Sequence, residues 1–276
     1  MLVDENRAWD KLYTRLNDDD LLIPDDTKVV AIPRMRMVAA IALFCICVGV
    51  AALFLFPDKE TAMLVSLHNN ETSNTLVSTL NDGSIVYLTD GATLTYPENF
   101  SSGKRQVNLQ GEALFDIYSN KDCPFFIETE SVVVEVLGTA FSIKSTGKSS
   151  FELSVQRGKV KATLKENGIQ TLVESGETVL LNTDHQLLKK WLTGQPFDHY
   201  TEKMRFKDER LDHIINVINR ISDTPVVLSD DSPAGMELTI TFDNNSPTDM
   251  VELICRGFNL SHSEENGIIM IAPPEP

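Results

Sequence analysis

Turn-forming residues recur about every ten positions through the middle of this chain, and no amphipathic run long enough for a helix separates them. They fall at Asn81-Asp82-Gly83, Asp90-Gly91, Gly103, Gly111, Gly138, Gly147, Arg157-Gly158, Asn167-Gly168 and Ser175-Gly176. Between them lie β-branched runs such as Ser84 to Leu88, Phe125 to Thr129, Val132 to Leu137, Phe151 to Gln156 and Thr178 to Leu181. Asn-Gly and Asp-Gly supply the positive φ that tight hairpin turns demand. The cadence predicts an all-β domain over residues 61–190, and a sandwich, a jelly roll or a stacked β-roll all satisfy it. Within it, Gly83, Gly111, Gly138 and Gly158 suit turns or close strand crossings, and Phe115, Phe126 and Phe141 suit a core.

Beyond Pro196 the period changes from two to helical. Leu211, Ile214, Ile215, Ile218 and Ile221 share one helical stripe, followed by a strand at Pro225 to Leu228. A strand at Leu238 to Phe242 precedes a second stripe of Met250, Val251, Leu253 and Ile254. Sliding the sequence by 36 positions lays Phe206 on Phe242, Ile214 on Met250, Ile215 on Val251 and Ile218 on Ile254, so residues 200–272 read as two copies of a βαβ-type unit. Ser246-Pro247-Thr248-Asp249 is a capping box with Pro at the first helical position, and Gly257 is the predicted stop. A small α+β domain is expected here, with an unpaired sheet edge that a partner strand could join.

Ahead of both regions, Met37 to Phe56 is a run of 20 residues without a charge or a proline. As a helix it would extend roughly 30 Å, the thickness of a bilayer hydrocarbon core. A buried soluble helix and a cleaved signal peptide are the competing readings, and the signal peptide is the weaker because 36 residues come first and no small-residue cleavage site follows. Arg34 and Arg36 at the N-terminal flank put the preceding side in the cytoplasm. The expected fold class is therefore a single-pass membrane protein. It comprises a cytoplasmic tail (1–36), a transmembrane helix (37–56), an all-β exported domain (61–190) and a small α+β βαβ-repeat domain (200–272). In the tail, Trp9, Leu12, Tyr13 and Leu16 fall on one face of a helix over residues 6–17. A helix that short is marginal alone in water, so the stripe predicts a protein partner with a groove.

Charge and chemistry narrow the function. With 24 basic against 40 acidic residues the formal charge is −16, which repels nucleic acid. The five histidines are scattered without metal-ligand spacing, no nucleophile elbow or phosphate loop occurs, and no cofactor or metal is expected. Asp18 to Asp20 lack the spaced ligands of a calcium loop. Cys123 and Cys255 read as two buried thiols, with a bridge between them as the alternative. Glu112, a carboxylate beside a glycine in a predicted strand, reads as a structural residue, with a surface site as the alternative.

Six segments, in order, resemble the FecR family of transmembrane anti-sigma regulators. They are Leu80 to Leu88 around Asp82-Gly83, Leu94 to Pro97, Gln106 to Ile117 with Gly111, Glu112 and Phe115, Pro124 to Ile127, Val134 to Phe141 with Gly138-Thr139 and Phe141, and Gly158 to Val160. The resemblance covers residues 57–190 best. It implies an inner-membrane protein, N-terminus in the cytoplasm and C-terminus in the periplasm, that relays the state of an outer-membrane TonB-dependent receptor to an extracytoplasmic-function (ECF) sigma factor. It also implies release through regulated, possible intramembrane, proteolysis, and a sigma factor as the partner of Trp9, Leu12, Tyr13 and Leu16. Residues 200–272 are similar to the short N-terminal domain of secretins and TonB-dependent receptors, which implies docking on a receptor's signalling domain. The tail is shorter than in many relatives, offering one helical stripe. A membrane-tethered binding or scaffold protein without a transcriptional role is the alternative, and an envelope hydrolase a third reading.

Overall fold

The computed structural model describes residues 5–18, 43–48, 63–100, 103–182, 186–192, 194, 196–230 and 233–273. The chain divides into two units, Met1–Glu60 and Thr61–Pro276. In the first, a helix runs Glu5–Asp18 where the stripe predicted one, and residues 43–48 are helical. Among the described residues no helix is long and apolar enough to cross a membrane. This corrects the expected single-pass fold class. The tail helix has 14 residues, about 21 Å at 1.5 Å per residue, and is studded with charge. Of the apolar run 37–56 only the six residues 43–48 are described, and the rest lies outside the described residues.

The second unit is mostly strand. Its first strands are β1 (Leu64–His68), β2 (Thr75–Thr79), β3 (Ile85–Leu88), β4 (Thr93–Pro97), β5 (Arg105–Asp116), β6 (Phe125–Glu128) and β7 (Val132–Val136). There follow β8 (Ala140–Gly147), β9 (Ser150–Arg157), β10 (Lys159–Leu164), β11 (Gln170–Glu174), β12 (Glu177–Leu181) and β13 (Leu187–Trp191). The C-terminal lobe adds β14 (Lys203–Arg210), β15 (Val226–Leu228), β16 (Glu237–Asp243), β17 (Ser261–Glu265) and β18 (Ile268–Ala272), with helices Leu211–Ile221 and Pro247–Phe258.

The pairings make a sandwich of two layers joined through β5. Its first half pairs with β4 and β6 in one layer, and its second half with β3 and β8 in the other. The changeover falls at Gly111, whose φ is +101° and where a Cβ would lie 2.7 Å from the Ala92 Cα. Only glycine lets the strand bend there against the neighbouring backbone. The layers enclose one core that includes Phe115, Phe125, Phe141 and Leu153. Strand parity corrects the expectation for Phe126: Phe125 and Ile127 point inward and are fully buried. Phe126 is half-buried on the opposite face, with the Lys104 Nζ 5.0 Å from its ring centroid.

The lobe is not a separate bead, a second correction to the expected fold class. β14 pairs in parallel with β2 and antiparallel with β16, so one layer of the sandwich runs on into the lobe. A second core shares Val77, Ile85, Tyr87 and Leu114 of the sandwich with the lobe's helices and strands. Phe206 and Phe242, the equivalent positions of the two βαβ-type copies, meet edge to face at 5.8 Å. The Ser246–Asp249 capping box forms as predicted, but the helix continues through Gly257 to Phe258. It ends at Asn259, which takes the left-handed conformation and whose N–H bonds the Cys255 carbonyl. Asn tolerates positive φ, which makes a glycine stop unnecessary.

Candidate functional site

The residues singled out in the sequence sort into two groups, one that builds the sandwich and one that lies on surfaces. Asp82 belongs to the first. Its carboxylate accepts from the Ser84 N–H (3.0 Å) and hydroxyl (2.8 Å), closing the turn that carries Gly83. Asp82 also receives Arg105 Nη1 at 2.7 Å, with side-chain exposures of 4% for Arg105 and 13% for Asp82. Arg105 donates further to the Tyr118 and Cys123 carbonyls, and its guanidinium lies 5.3 Å from the Phe125 ring centroid. The pair thus ties a hairpin turn to β5 and to the loop before β6.

Gly138, Thr139 and Gly158 form a close crossing. The Ile117 N–H donates to the Thr139 carbonyl (2.9 Å) and the Asn120 N–H to the Leu137 carbonyl (2.8 Å), drawing residues 117–120 across the chain at Gly138. A Cβ on Gly138 would stand 2.5 Å from the Ser119 Cα, and one on Gly158 would stand 2.7 Å from the Thr139 Cγ2. Phe115 and Phe141, direct partners across β5 and β8, stack with centroids 5.5 Å apart in the core.

Glu112 sits at the seam between sandwich and lobe. Lys144 faces it across β5 and β8, with Nζ 3.0 Å from Oε2. From the lobe's side, Tyr200 donates its hydroxyl to Oε1 at 3.0 Å, and His199 Nε2 lies 3.2 Å from the same oxygen. Burial alone would raise the Glu112 carboxyl, but the hydrogen bonds from Lys144 and Tyr200, the Lys144 charge and the His199 contact outweigh it and hold it below the ordinary range. Burial and the neighbouring Glu112 charge push the Tyr200 phenol well above its usual value, so it stays a donor. Lys144 is a cross-strand neighbour, visible only once the register of β5 and β8 is known. His199 and Tyr200 lie 87 and 88 residues away in sequence and left no signal.

Two further ties cross the same seam. The Glu209 carboxylate accepts from the Thr79 N–H at 3.4 Å and sits 2.7 Å from His213 Nδ1, and Arg205 pairs with Glu71. Cys123 and Cys255 are both free, and burial pushes the Cys255 thiol up to about 11. The remaining candidates lie in the tail helix. Trp9 (67%), Tyr13 (66%) and Leu12 (47%) are exposed and Leu16 is half-buried. Side chains of this size on one face of a short helix are the constitution of a docking surface rather than of a core.

The body is a two-layer β structure whose buried ionic groups hold its own parts together, and the N-terminal unit carries a helix with an exposed apolar stripe. Residues 69–161, 93 of the 276, match the family described as FecR protein, so the chain carries a FecR region that runs from the turn after β1 into β10. Two crystal structures of a protein from Parabacteroides distasonis, provisionally described as an anti-sigma factor, resemble the chain. Each is 24% identical with a TM-score of 0.47, and all of that chain aligns with 77% or 76% of this one. No curated protein matches.

Proposed function

We propose that this chain is an anti-sigma factor that acts by binding rather than by catalysis. The FecR match over residues 69–161 carries the reading. The exposed stripe of Trp9, Leu12 and Tyr13 supplies a surface of the size and chemistry that a groove on a sigma factor would cover. In this proposal the helix Glu5–Asp18 occupies that groove on an ECF sigma factor and withholds it from RNA polymerase. The body reports the state of a TonB-dependent receptor by contact with its signalling domain, and proteolysis ends the inhibition. The proposed placement is at the inner membrane, with the tail on the cytoplasmic side and the body on the periplasmic side.

A promoter reporter driven by an ECF sigma factor from the same genome that co-purifies with this chain tests the reading. Deleting the chain raises reporter output, and restoring it with Trp9→Ala and Tyr13→Ala together fails to bring output down. Output that is indifferent to the deletion would overturn the proposal.

A further inference from the structure

Where the end of β5 meets the lobe, a cavity of about 530 Å³ opens, within the range of roughly 300–1,000 Å³ typical of small-ligand sites. Asp116 lines it, its side chain only 12% exposed, and holds one arginine on each oxygen. Arg157 Nη2 approaches Oδ1 at 2.7 Å, and Arg220 Nη1 approaches Oδ2 at 3.3 Å. The arrangement follows from register. Asp116, Ala140 and Arg157 lie in one row across β5, β8 and β9, and the small Ala140 between them lets Arg157 reach over. Arg220 comes from the last turn of the helix Leu211–Ile221.

On that wall two guanidiniums meet one carboxylate, an excess of one positive charge that Asp198 in the lining offsets, and each guanidinium keeps N–H donors beyond its contact to Asp116. A guanidinium fork matches a carboxylate in shape and charge. Asp198, also lining the cavity, opposes any second negative charge, which disfavours phosphates and dianions. Phe197, Leu114 and Ile221 supply an apolar wall. We infer that this cleft binds an apolar monocarboxylate, either the free carboxy terminus of a hydrophobic peptide or a small organic acid. Because its two walls belong to sandwich and lobe, an occupant ties them together. The inference stands independently of the anti-sigma reading.

The test uses the full chain, calorimetric titration and thermal melting. The probes are acetyl-Ala-Leu-Phe with a free carboxylate, the same peptide as its amide, 4-phenylbutyrate and inorganic phosphate. Saturable binding of either acid is expected, with a rise in melting temperature by linkage. The amide and phosphate should bind at least about tenfold more weakly, and Arg157→Ala should weaken the acid about tenfold. Arg220→Gln should do the same, and if that variant fails to fold, the more exposed Arg157 carries the test. Lys159→Ala, which removes an exposed charge outside the cavity, should leave affinity unchanged. Binding by the peptide or by phenylbutyrate supports the inference, and which of them binds identifies the source of the carboxylate. No saturation by either acid up to about 10 mM, equal binding of acid and amide, or indifference to Arg157→Ala would overturn it.

Discussion

The sandwich and the tail helix use their large apolar residues in opposite ways. In the sandwich, Phe115, Phe125 and Phe141 are fully buried, and the polar motif residue Asp82 is spent on holding Arg105. In the tail, Trp9 and Tyr13 are two-thirds exposed on a helix too short to be stable on its own strength. Apolar surface that folding leaves uncovered is available for binding, whereas motif residues inside the sandwich answer to stability. Substitutions should therefore separate the two regions: body variants lose stability, and tail variants lose a partner.

The largest loss is expected for Asp82→Ala, which strands a buried guanidinium. Chemical denaturation should show a cost of about 3–5 kcal/mol. Gly111→Ala comes next. It sets a Cβ against the Ala92 backbone and forces positive φ on an L residue, for about 2–4 kcal/mol by the same measurement. Tyr200→Phe removes one donor to a charged acceptor at the seam and should cost about 1.5–3 kcal/mol.

The seam also carries a pH dependence whose sign follows from Glu112. Its carboxyl is lowered in the folded chain, so its contribution is complete above the unfolded value of about 4.3 and fades as pH falls through the lower folded value. The stability advantage of the native chain over Glu112→Gln should therefore be constant at neutral pH and shrink below about pH 4. An advantage that goes on growing as pH falls below about 4 would refute the clamp. Ser246→Ala, which removes the capping hydroxyl, should cost about 1 kcal/mol. Smallest of all, Trp9→Ala should stay within about 0.5 kcal/mol in the melting of the body.

The strands were legible because turn chemistry and period two are local signals, and the capping box at Ser246 was legible for the same reason. Strand parity is less forgiving. Phe125 and Phe126 are adjacent aromatics, and choosing the inward one requires the register of β6 against β5 and β7. The continuity of sandwich and lobe was hidden because it rests on two residue pairs between β2 and β14, more than 120 positions apart. Glu112 stood out as an acid beside a glycine, but its partners from the lobe come from the short helix His199–Glu202, which carries no motif. The single-pass expectation came from the uninterrupted apolar run Met37 to Phe56 and its basic flank, and no described helix has the length it needed.

The most direct test of the central claim measures how tightly the full chain binds an ECF sigma factor from the same genome, the one that co-purifies with it, before and after Trp9→Ala and Tyr13→Ala are introduced together. The account predicts saturable binding by the native chain, weakened by roughly 30-fold or more in the double variant, with the melting temperature of the body unmoved. Undiminished affinity in the double variant, or no binding by the native chain, would contradict it.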